Sequence, residues 1–302
     1  MAQTYPSKPV RLVLPYAPGG VVDFIGRTLA QRLSEQLGQQ TVADNRPGAG
    51  GIIGVDSVAR SAPDGYTLVL MDPAIVINPS LQQKVPYDVI KDLQAVSVVG
   101  SSPLVLAINP TLPVKDVAQL VEFARANPGK LNFASAGIGT TPHMAGELLK
   151  LRVNAEATHV PYKGSGPAMA DVVSGRVQML FGSITAALPF IRDGRVRGIA
   201  TTGVRRSAAL PELPTVIEAG FPGFDVDLWL GVFAPSNLPP PVLSRLNAEI
   251  RIALEQPDVR AAFAKVGVEP RGTSLEEGTA FVRAEYDKWA RVVRDARLKA
   301  AD

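Results

Sequence analysis

The chain of 302 residues contains no cysteine and only two histidines. The absence of cysteine excludes disulfides, cysteine nucleophiles and thiolate-bound metal ions, but it leaves the cellular compartment undecided. Neither His143 nor His159 belongs to an H-E-x-x-H zinc motif, and the spacing identifies no carboxylate that would complete a two-histidine site. We therefore expect no metal ion and no cofactor.

Concentrated positive charge and long apolar runs are also missing. The formal net charge is only +3, without a lysine- or arginine-rich block. Nucleic-acid-binding proteins usually carry a basic patch or stripe, so no nucleic-acid partner is expected. No apolar run reaches the roughly 18–20 residues that a membrane helix requires.

Catalytic motifs are scarce. There is no G-x-S-x-G nucleophile elbow and no Walker loop, and the glycine-rich stretch 48–54 misses G-x-G-x-x-G by one residue. That stretch follows a turn rather than a strand, so we interpret it as a structural glycine turn. Ser135 or Ser183 could pair with a histidine, but a loop hydroxyl that caps a helix is the commoner role. We expect no catalytic residue.

Strand-like and helix-like runs alternate along the chain. Predicted strands lie at 10–14, 41–43, 67–70, 104–108, 131–134, 157–160, 178–181, 197–201 and 229–234. Predicted helices lie at 21–37, 52–61, 117–127, 144–151, 167–174, 186–192, 242–255, 257–266 and 275–296. The alternation indicates β-α-β units, and we predict an α/β fold with a mainly parallel sheet.

The pattern restarts near residue 104 and returns near residue 225, which indicates one domain inserted into another. We predict a discontinuous first lobe formed by residues 1–103 and 226–302, and an inserted second lobe formed by residues 104–225. The chain would cross between the lobes through residues 101–105 and 225–229.

Two stretches about 120 residues apart share one pattern, in which an apolar strand is followed by a turn of small residues and a helix start. They are Pro15-Tyr16-Ala17-Pro18-Gly19-Gly20 and Ser135-Ala136-Gly137-Ile138-Gly139-Thr140. The first amides of a helix have no internal partner and lie at the positive end of its dipole. Glycines let an anion approach that backbone closely. The two loops therefore predict binding of one anionic small molecule.

Side chains near these loops allow more than one interpretation. Asp23 gains from the helix dipole, and it either contacts a donor group on the ligand or only caps the helix. His143 would oppose the dipole as a cation, so we expect a neutral imidazole that lines a cleft. We interpret the basic residues nearest to the loops as surface or indirect charges rather than ligand contacts; they are Arg46, Lys163, Arg205 and Arg206.

A series of further motifs runs through nearly the whole chain. They are Asn45-Arg46-Pro47-Gly48-Ala49-Gly50-Gly51, Asp64-Gly65-Tyr66-Thr67-Leu68, Ile77-Asn78-Pro79-Ser80-Leu81, Pro86-Tyr87-Asp88, His159-Val160-Pro161-Tyr162-Lys163-Gly164, Leu213-Pro214-Thr215 and Gly231-Val232-Phe233-Ala234-Pro235. Together with the two loops, and in this order, they resemble the Bug (Bordetella uptake gene) proteins. These are the extracytoplasmic solute receptors of tripartite tricarboxylate transporters.

The resemblance implies a type II periplasmic-binding-protein fold, with two α/β lobes, a two-strand hinge and a ligand cleft between the lobes. It also implies that main-chain amides, small hydroxyls and bridging waters hold a carboxylate of the ligand between the two loops. The residues expected to bind it on the first lobe are Tyr16, Ala17, Pro18, Gly19, Gly20 and Asp23. Those expected on the second lobe are Ser135, Ala136, Gly137, Gly139, Thr140 and His143. The far end of the ligand should meet Phe24, Asp72, Pro73, Ala74, Tyr162, Phe181 and Ser183.

These features predict a solute-binding protein, not an enzyme. It would capture a small organic carboxylate and, as a monomer, deliver it to the membrane components of a tripartite tricarboxylate-type transporter. The alternatives are a receptor of the same fold that presents its ligand to a sensor protein, and a small-molecule enzyme on a two-lobe scaffold. Dicarboxylates, aromatic carboxylates and acidic amino acids all remain open as ligands.

The N-terminus bears on the location of the protein. Met1-Ala2-Gln3 is the start expected when an initiator methionine precedes a mature exported chain, and we expect a periplasmic protein whose signal peptide has been removed. A plain cytoplasmic N-terminus is the alternative.

Overall fold

The computed structural model describes residues 5–81, 85–162 and 164–298. The chain forms two compact units, Met1–Ser101 with Trp229–Asp302, and Ser102–Leu228. The division predicted from the sequence, at 103/104 and 225/226, lies close to these junctions. Residues 1–4, on which the expected location depends, and Lys163 lie outside the described residues.

Helices and strands alternate in both units. The strands are β1 (Val10–Leu14), β2 (Thr41–Asn45), β3 (Thr67–Met71), β4 (Leu93–Ile108), β5 (Asn132–Ser135), β6 (Thr158–Pro161), β7 (Met179–Ser183), β8 (Arg197–Thr201), β9 (Asp227–Pro235) and β10 (Glu269–Pro270). The α-helices are α1 (Val21–Leu37), α2 (Ile52–Ala59), α3 (Ala74–Leu81), α4 (Val117–Ala126), α5 (Thr141–Val153), α6 (Ser165–Val173), α7 (Ile184–Arg192), α8 (Pro240–Glu255), α9 (Pro257–Lys265) and α10 (Leu275–Asp295). No helix in the described ranges is long and apolar enough to cross a membrane.

Strand pairing in both units is mixed. In the first unit β1 pairs in parallel with β2 and β3, whereas β3 pairs antiparallel with β9 and β10 pairs antiparallel with β4. In the second unit β5 pairs in parallel with β6 and β7, whereas β4 pairs antiparallel with β7 and β8. The expectation of a mainly parallel sheet is therefore wrong. Helical crossovers make the strands of each β-α-β series parallel, namely β1 to β3 in the first unit and β5 to β7 in the second. Strands β4 and β9 run from one unit into the other, and their pairs with β3, β7, β8 and β10 are antiparallel.

The core of the first unit lies between α1 and the strands. Val22, Ile25, Leu29 and Leu33 recur at helical spacing on α1, and each is 3% exposed or less. Burial of such a side chain contributes about 1.5–3 kcal/mol, so this apolar face holds α1 against the strands. The start of α1 is thereby fixed beside the ends of the strands.

The core of the second unit brings Phe133 of β5 against α5. A Cβ on Gly146 would lie 2.2 Å from the Phe133 ring, so glycine is required for this close approach. Met169 and Val172 of α6 are also buried in this unit, and pack with Leu180 of β7.

The sequence pattern does not predict α3, β10 or the first half of β4. Helix α3 contains Pro79, which normally interrupts a helical pattern. The first half of β4 was missed because Ser97, Gly100, Ser101 and Ser102 interrupt its apolar run. The structure stabilises this polar stretch with tertiary bonds, since Ser97 Oγ donates to the carbonyl of Thr273 at 3.1 Å.

Candidate anion-binding loops

The first candidate loop follows β1, at the edge where three parallel strands of the first unit end. Tyr16 follows β1, Asn45 ends β2 and Asp72 follows β3. The carboxyl ends of parallel strands are the usual place for a ligand in an open α/β sheet. Tyr16 Oη donates to Asp72 Oδ1 at 3.0 Å, and Asn45 Nδ2 donates to the carbonyl of Tyr16 at 3.0 Å. These bonds tie the three strand ends together.

Asp23 holds this loop through both carboxylate oxygens. Oδ2 accepts the amide of Gly19 at 3.0 Å, while Oδ1 accepts Arg27 Nε at 2.9 Å and Asn45 Nδ2 at 3.0 Å. Partial burial opposes ionisation, but the hydrogen bonds from Gly19 and Asn45 and the charge of Arg27 outweigh it and lower the pKa of Asp23. Of its two interpretations, these contacts favour capping, because the carboxylate is already bonded within the protein. The amide of Gly19 is likewise in use.

The exposed tip of the loop offers backbone rather than side chains. Gly19 has φ +97°, whereas Gly20, the N-cap of α1, has φ −86°, and no atom lies within 4 Å of a Cβ built on either residue. The first bond within α1 runs from Phe24 N to the carbonyl of Gly20. The amides of Val21 and Val22 precede it and therefore have no intrahelical acceptor. Gly20 supplies no side chain to cap them.

Asp72 is a buried carboxyl group beside the loop, only 9% exposed. Burial raises its pKa to about 6, against the hydrogen bonds that it accepts from the Ala74 amide and Tyr16 Oη. Burial, and then the nearby carboxylate, raise the pKa of the Tyr16 hydroxyl. Asp72 is thus an acceptor that gains a proton within about a unit of neutral pH.

The second candidate loop follows β5 in the other unit and is tied together by its own hydroxyls. Ser135 Oγ accepts the amide of Gly137 at 3.1 Å and contacts the carbonyl of Gly137 at 3.0 Å. Thr140 Oγ1 donates to the same carbonyl at 2.7 Å. The first bond of α5 runs from Met144 N to the carbonyl of Thr140, so the amides of Thr141 and His143 have no intrahelical acceptor.

His143 lies beneath this loop rather than on its surface, at 5% exposure. Its Nδ1 accepts the amide of Gly139 at 3.2 Å, and its ring stacks on that of His159 at a centroid distance of 4.0 Å. Burial, then His159 and Lys150, lower the pKa of His143 to about 3. The imidazole is therefore neutral, but it supports the loop from inside. The expectation that it lines a cleft receives no support, because packing on His159 buries the ring.

The residues expected at the far end of the ligand have separate roles within their units. In the first unit Phe24 is 39% exposed, whereas Pro73 and Ala74 are buried at the start of α3. In the second unit Phe181 is fully buried and stacks on Phe224 at 5.9 Å. Contact of these residues with a ligand remains a prediction.

Two polar residues in the same set are held by local hydrogen bonds. Tyr162 Oη donates to Asp171 Oδ2 at 2.6 Å, and burial and this bond raise the Tyr162 pKa to about 12. Ser183 caps α7 by accepting the amide of Ala186 at 3.4 Å. Contact of either residue with a ligand also remains a prediction.

The structure thus groups the predicted residues by unit. One group joins Tyr16, Gly19, Asp23 and Asp72, and the other joins Ser135, Gly137, Gly139, Thr140 and His143. Ala17, Pro18 and Gly20 lie at the exposed tip of the first loop, and Ala136 lies in the second.

Two supporting residues, Asn45 and His159, were not predicted as part of a site. Asn45 and His159 each begin one of the family motifs in the sequence, which was an available signal. His159 lies opposite Phe133 in the parallel register of β5 and β6, and only strand pairing brings it near the loop.

The glycine stretch at 48–54 is explained by packing. A Cβ on Gly51 would lie 2.3 Å from Met71 Cε, and one on Gly54 would lie 2.8 Å from Pro15 and 2.9 Å from the carbonyl of Arg46.

Two of the basic residues near the loops are held in ion pairs. Arg46 pairs with Asp44 and Arg206 pairs with Glu218, both at 2.8 Å. The described residues contain no group of three or more histidine, aspartate or glutamate side chains that could hold a metal ion.

Comparison with known proteins identifies relatives over almost the full length. Protein BugT of Bordetella pertussis is 39% identical over 300 residues, covering 99% of this chain and 92% of that protein. The structure described as R. palustris Rpa4515 with adipate superposes with a TM-score of 0.89 at 35% identity, covering 98% and 99% of the two chains. MatC from Rhodopseudomonas palustris with bound malate superposes with a TM-score of 0.83 at 32% identity, covering 96% and 100%.

Residues 25–298 match the family described as the tripartite tricarboxylate transporter family receptor. The match spans most of the chain, and the α/β fold is that of the solute-binding proteins of this family. The resemblance to the Bug proteins is thereby confirmed. The chain belongs to the tripartite tricarboxylate transporter receptor family.

Proposed function

We propose that this protein is a periplasmic solute receptor that binds a small organic carboxylate and delivers it to the membrane components of a tripartite tricarboxylate-type transporter. Relatives that are 35% and 32% identical are described with adipate and with malate bound, which supports a carboxylate as the ligand class. Binding without chemical conversion is part of the proposal, as is action as a monomer.

The observation that carries the proposal is the open start of α1. Gly20 leaves the first amides of the helix without a side-chain cap, and the positive end of the helix dipole favours an anion there. Arg27, the nearby cation, is already paired with Asp23 at 2.9 Å. The loop therefore offers neutral backbone donors, which suit a carboxylate.

The second loop has matching chemistry in its own unit. Within the described residues, the amides of Ala136 and Ile138 donate to no protein acceptor, whereas those of Gly137 and Gly139 are used internally. A carboxylate at this loop would accept hydrogen bonds from the amides of Ala136 and Ile138. That one ligand contacts both loops stays a prediction, so the experiments below test each loop separately.

The proposal is tested by calorimetry with a panel that includes adipate, malate, benzoate and glutamate. A ligand that binds only the folded state also raises the melting temperature by mass action, which gives a rapid first screen. The matched control is the methyl ester of each acid that binds. We expect the ester to bind roughly ten- to a hundred-fold more weakly, because it loses a charge-assisted hydrogen bond. Equal affinity for acid and ester would contradict the proposal.

A further inference from the structure

Two stacked imidazoles support the second loop from inside its unit. The rings of His143 and His159 lie 4.0 Å apart at an interplanar angle of 22°, and Phe133 stacks on His159 at 4.9 Å. Each imidazole contacts a different point of the loop. His143 contacts Gly139 and His159 contacts Ser135.

The bond from Gly139 fixes the protonation of His143. A backbone N–H only donates, so Nδ1 at 3.2 Å must carry a lone pair, and the proton of the neutral ring is on Nε2. That nitrogen lies 3.9 Å from Glu147 Oε1, too far for a hydrogen bond, and Glu147 itself pairs with Lys150 Nζ at 2.8 Å. An imidazolium would carry a proton on Nδ1 and could not accept from Gly139.

The contacts of Ser135 determine the tautomer of His159. Ser135 Oγ lies 2.6 Å from His159 Nε2, 3.0 Å from the carbonyl of Gly137 and 3.1 Å from the amide of Gly137. The hydroxyl has only one proton. All three contacts are hydrogen bonds if His159 Nε2 donates to Oγ, Oγ donates to the carbonyl, and the amide donates to Oγ. This arrangement requires the proton of His159 on Nε2.

We propose that His143 and His159 are positioning residues for carboxylate binding, a role that rests on the function proposed above. As neutral imidazoles protonated on Nε2, they hold Gly139 and Ser135 in place. The loop then keeps its two remaining amides, those of Ala136 and Ile138, for the ligand. His143 thus acts through the loop and does not itself contact the ligand.

The electrostatic surroundings agree with neutral rings. Burial is the first cause that lowers the pKa of both groups, to about 3 for His143 and about 4 for His159. Lys150 adds to the effect at both rings, and His159 adds to it at His143. The carboxylate of Glu147 would favour a charged ring, but the Lys150 ammonium at 2.8 Å compensates its charge.

Nuclear magnetic resonance of histidine-labelled protein tests the proposal without a ligand. Two-bond ¹⁵N–¹H correlations of the imidazoles should show both rings in the Nε2–H tautomer at pH 7, with no titration between pH 5 and 8. An Nδ1–H tautomer at either histidine, or a ring that titrates in this range, would overturn it.

Binding measurements test the positioning role with two variants of one residue. His143→Phe keeps an aromatic ring for stacking but removes the acceptor, whereas His143→Asn restores an acceptor oxygen. The asparagine is long enough, because Asp23 accepts the equivalent glycine amide at 3.0 Å. We expect H143F to weaken binding of adipate or malate by roughly tenfold, since a buried amide loses its partner, and H143N to recover most of the loss. Wild-type affinity in H143F, or no recovery in H143N, would contradict the proposal.

A control separates the loop from general destabilisation. Val196→Ala truncates a side chain that is 2% exposed in the core of the same unit. It should lower the melting temperature without changing affinity, and an equal loss of affinity in V196A would overturn the assignment. If no acid of the panel binds the wild-type protein, the proposed function fails, while the tautomers still decide whether the imidazoles hold the loop.

Discussion

Asp23 and His143 occupy the same position in two different stretches of the chain. Each is the third residue of its helix, and each accepts the amide of the glycine four residues earlier, at 3.0 Å from Gly19 and at 3.2 Å from Gly139. Both glycines have positive φ, +97° and +76°. The hydrogen bond has the same geometry in the chain, but its acceptor is an ionised carboxylate at Asp23 and a neutral imidazole at His143. The dipole of α1 is thus partly compensated by a carboxylate, whereas that of α5 is not.

This difference predicts the effect of charge at position 143. His143→Asp and His143→Asn have the same size and both offer an acceptor to Gly139. H143D adds a negative charge beside the proposed carboxylate, so we expect it to bind adipate or malate roughly tenfold more weakly than H143N at low salt. High salt should reduce this loss only in part, because position 143 is buried and ions screen buried charges less than exposed ones. Calorimetry at two ionic strengths measures this, and equal affinities for the two variants would place the ligand away from this loop.

Gly19 and Gly20 should respond differently to side chains. Gly19→Ala meets no atom within 4 Å but forces φ +97° on a residue with a Cβ, so we expect a loss of about 1–3 kcal/mol in the free energy of unfolding. Gly20→Ser keeps a permitted φ of −86° and adds a good N-cap, so stability should be unchanged or higher. The serine would compete for the amides offered to the ligand, so G20S should bind the carboxylate more weakly. Urea unfolding and calorimetry check both, and unimpaired binding by G20S would remove the start of α1 from the site.

Asp72 predicts a pH-dependent stability. Its folded-state pKa of about 6 lies above the ordinary value of 3.8, so the folded protein binds a proton more readily than the unfolded chain between these pH values. The stability that Asp72 contributes is therefore full below about pH 4 and is lost as pH rises through 6. Asp72→Asn keeps an oxygen acceptor for Tyr16 and Ala74 but does not ionise. We expect D72N to gain stability relative to wild type as pH rises from 4 to 7, by on the order of 2–3 kcal/mol. Urea unfolding across this range measures the difference, and a constant difference would contradict the raised pKa.

Glu285 joins the two tryptophans of the chain. Its Oε2 accepts Trp229 Nε1 at 2.9 Å and Trp289 Nε1 at 3.1 Å, and both indoles are fully buried. Glu285→Leu would leave two buried donors without an acceptor and should lower the free energy of unfolding by about 2 kcal/mol or more. Glu285→Gln keeps a carbonyl acceptor, so its free energy of unfolding should fall less than that of Glu285→Leu. Tryptophan fluorescence during urea unfolding reports on this cluster directly, and equal stability of the two variants would show that the hydrogen bonds contribute little.

Local signals in the sequence determined most of the helices and strands and the two loops, but not α3, β10 or the first half of β4. Strand β8 at Arg197–Thr201 and the start of α9 at Pro257 were predicted without error, because apolar periodicity and proline act within a few residues. The small residues at 17–20 and 136–140 likewise predicted two turns before helices. The order of motifs then predicted the family, which the relatives confirm.

Only the tertiary structure decided which groups in those loops are already in use. Asn45 reaches Asp23 from β2, and His159 reaches Ser135 because β5 and β6 pair in one register. Such contacts depend on strand pairing between distant residues, which a local pattern does not encode. The antiparallel pairing of β4 and β9 with their neighbouring strands could not be predicted for the same reason. The sequence therefore specified where backbone N–H donors are concentrated, and the fold determined which of them are hydrogen-bonded within the protein.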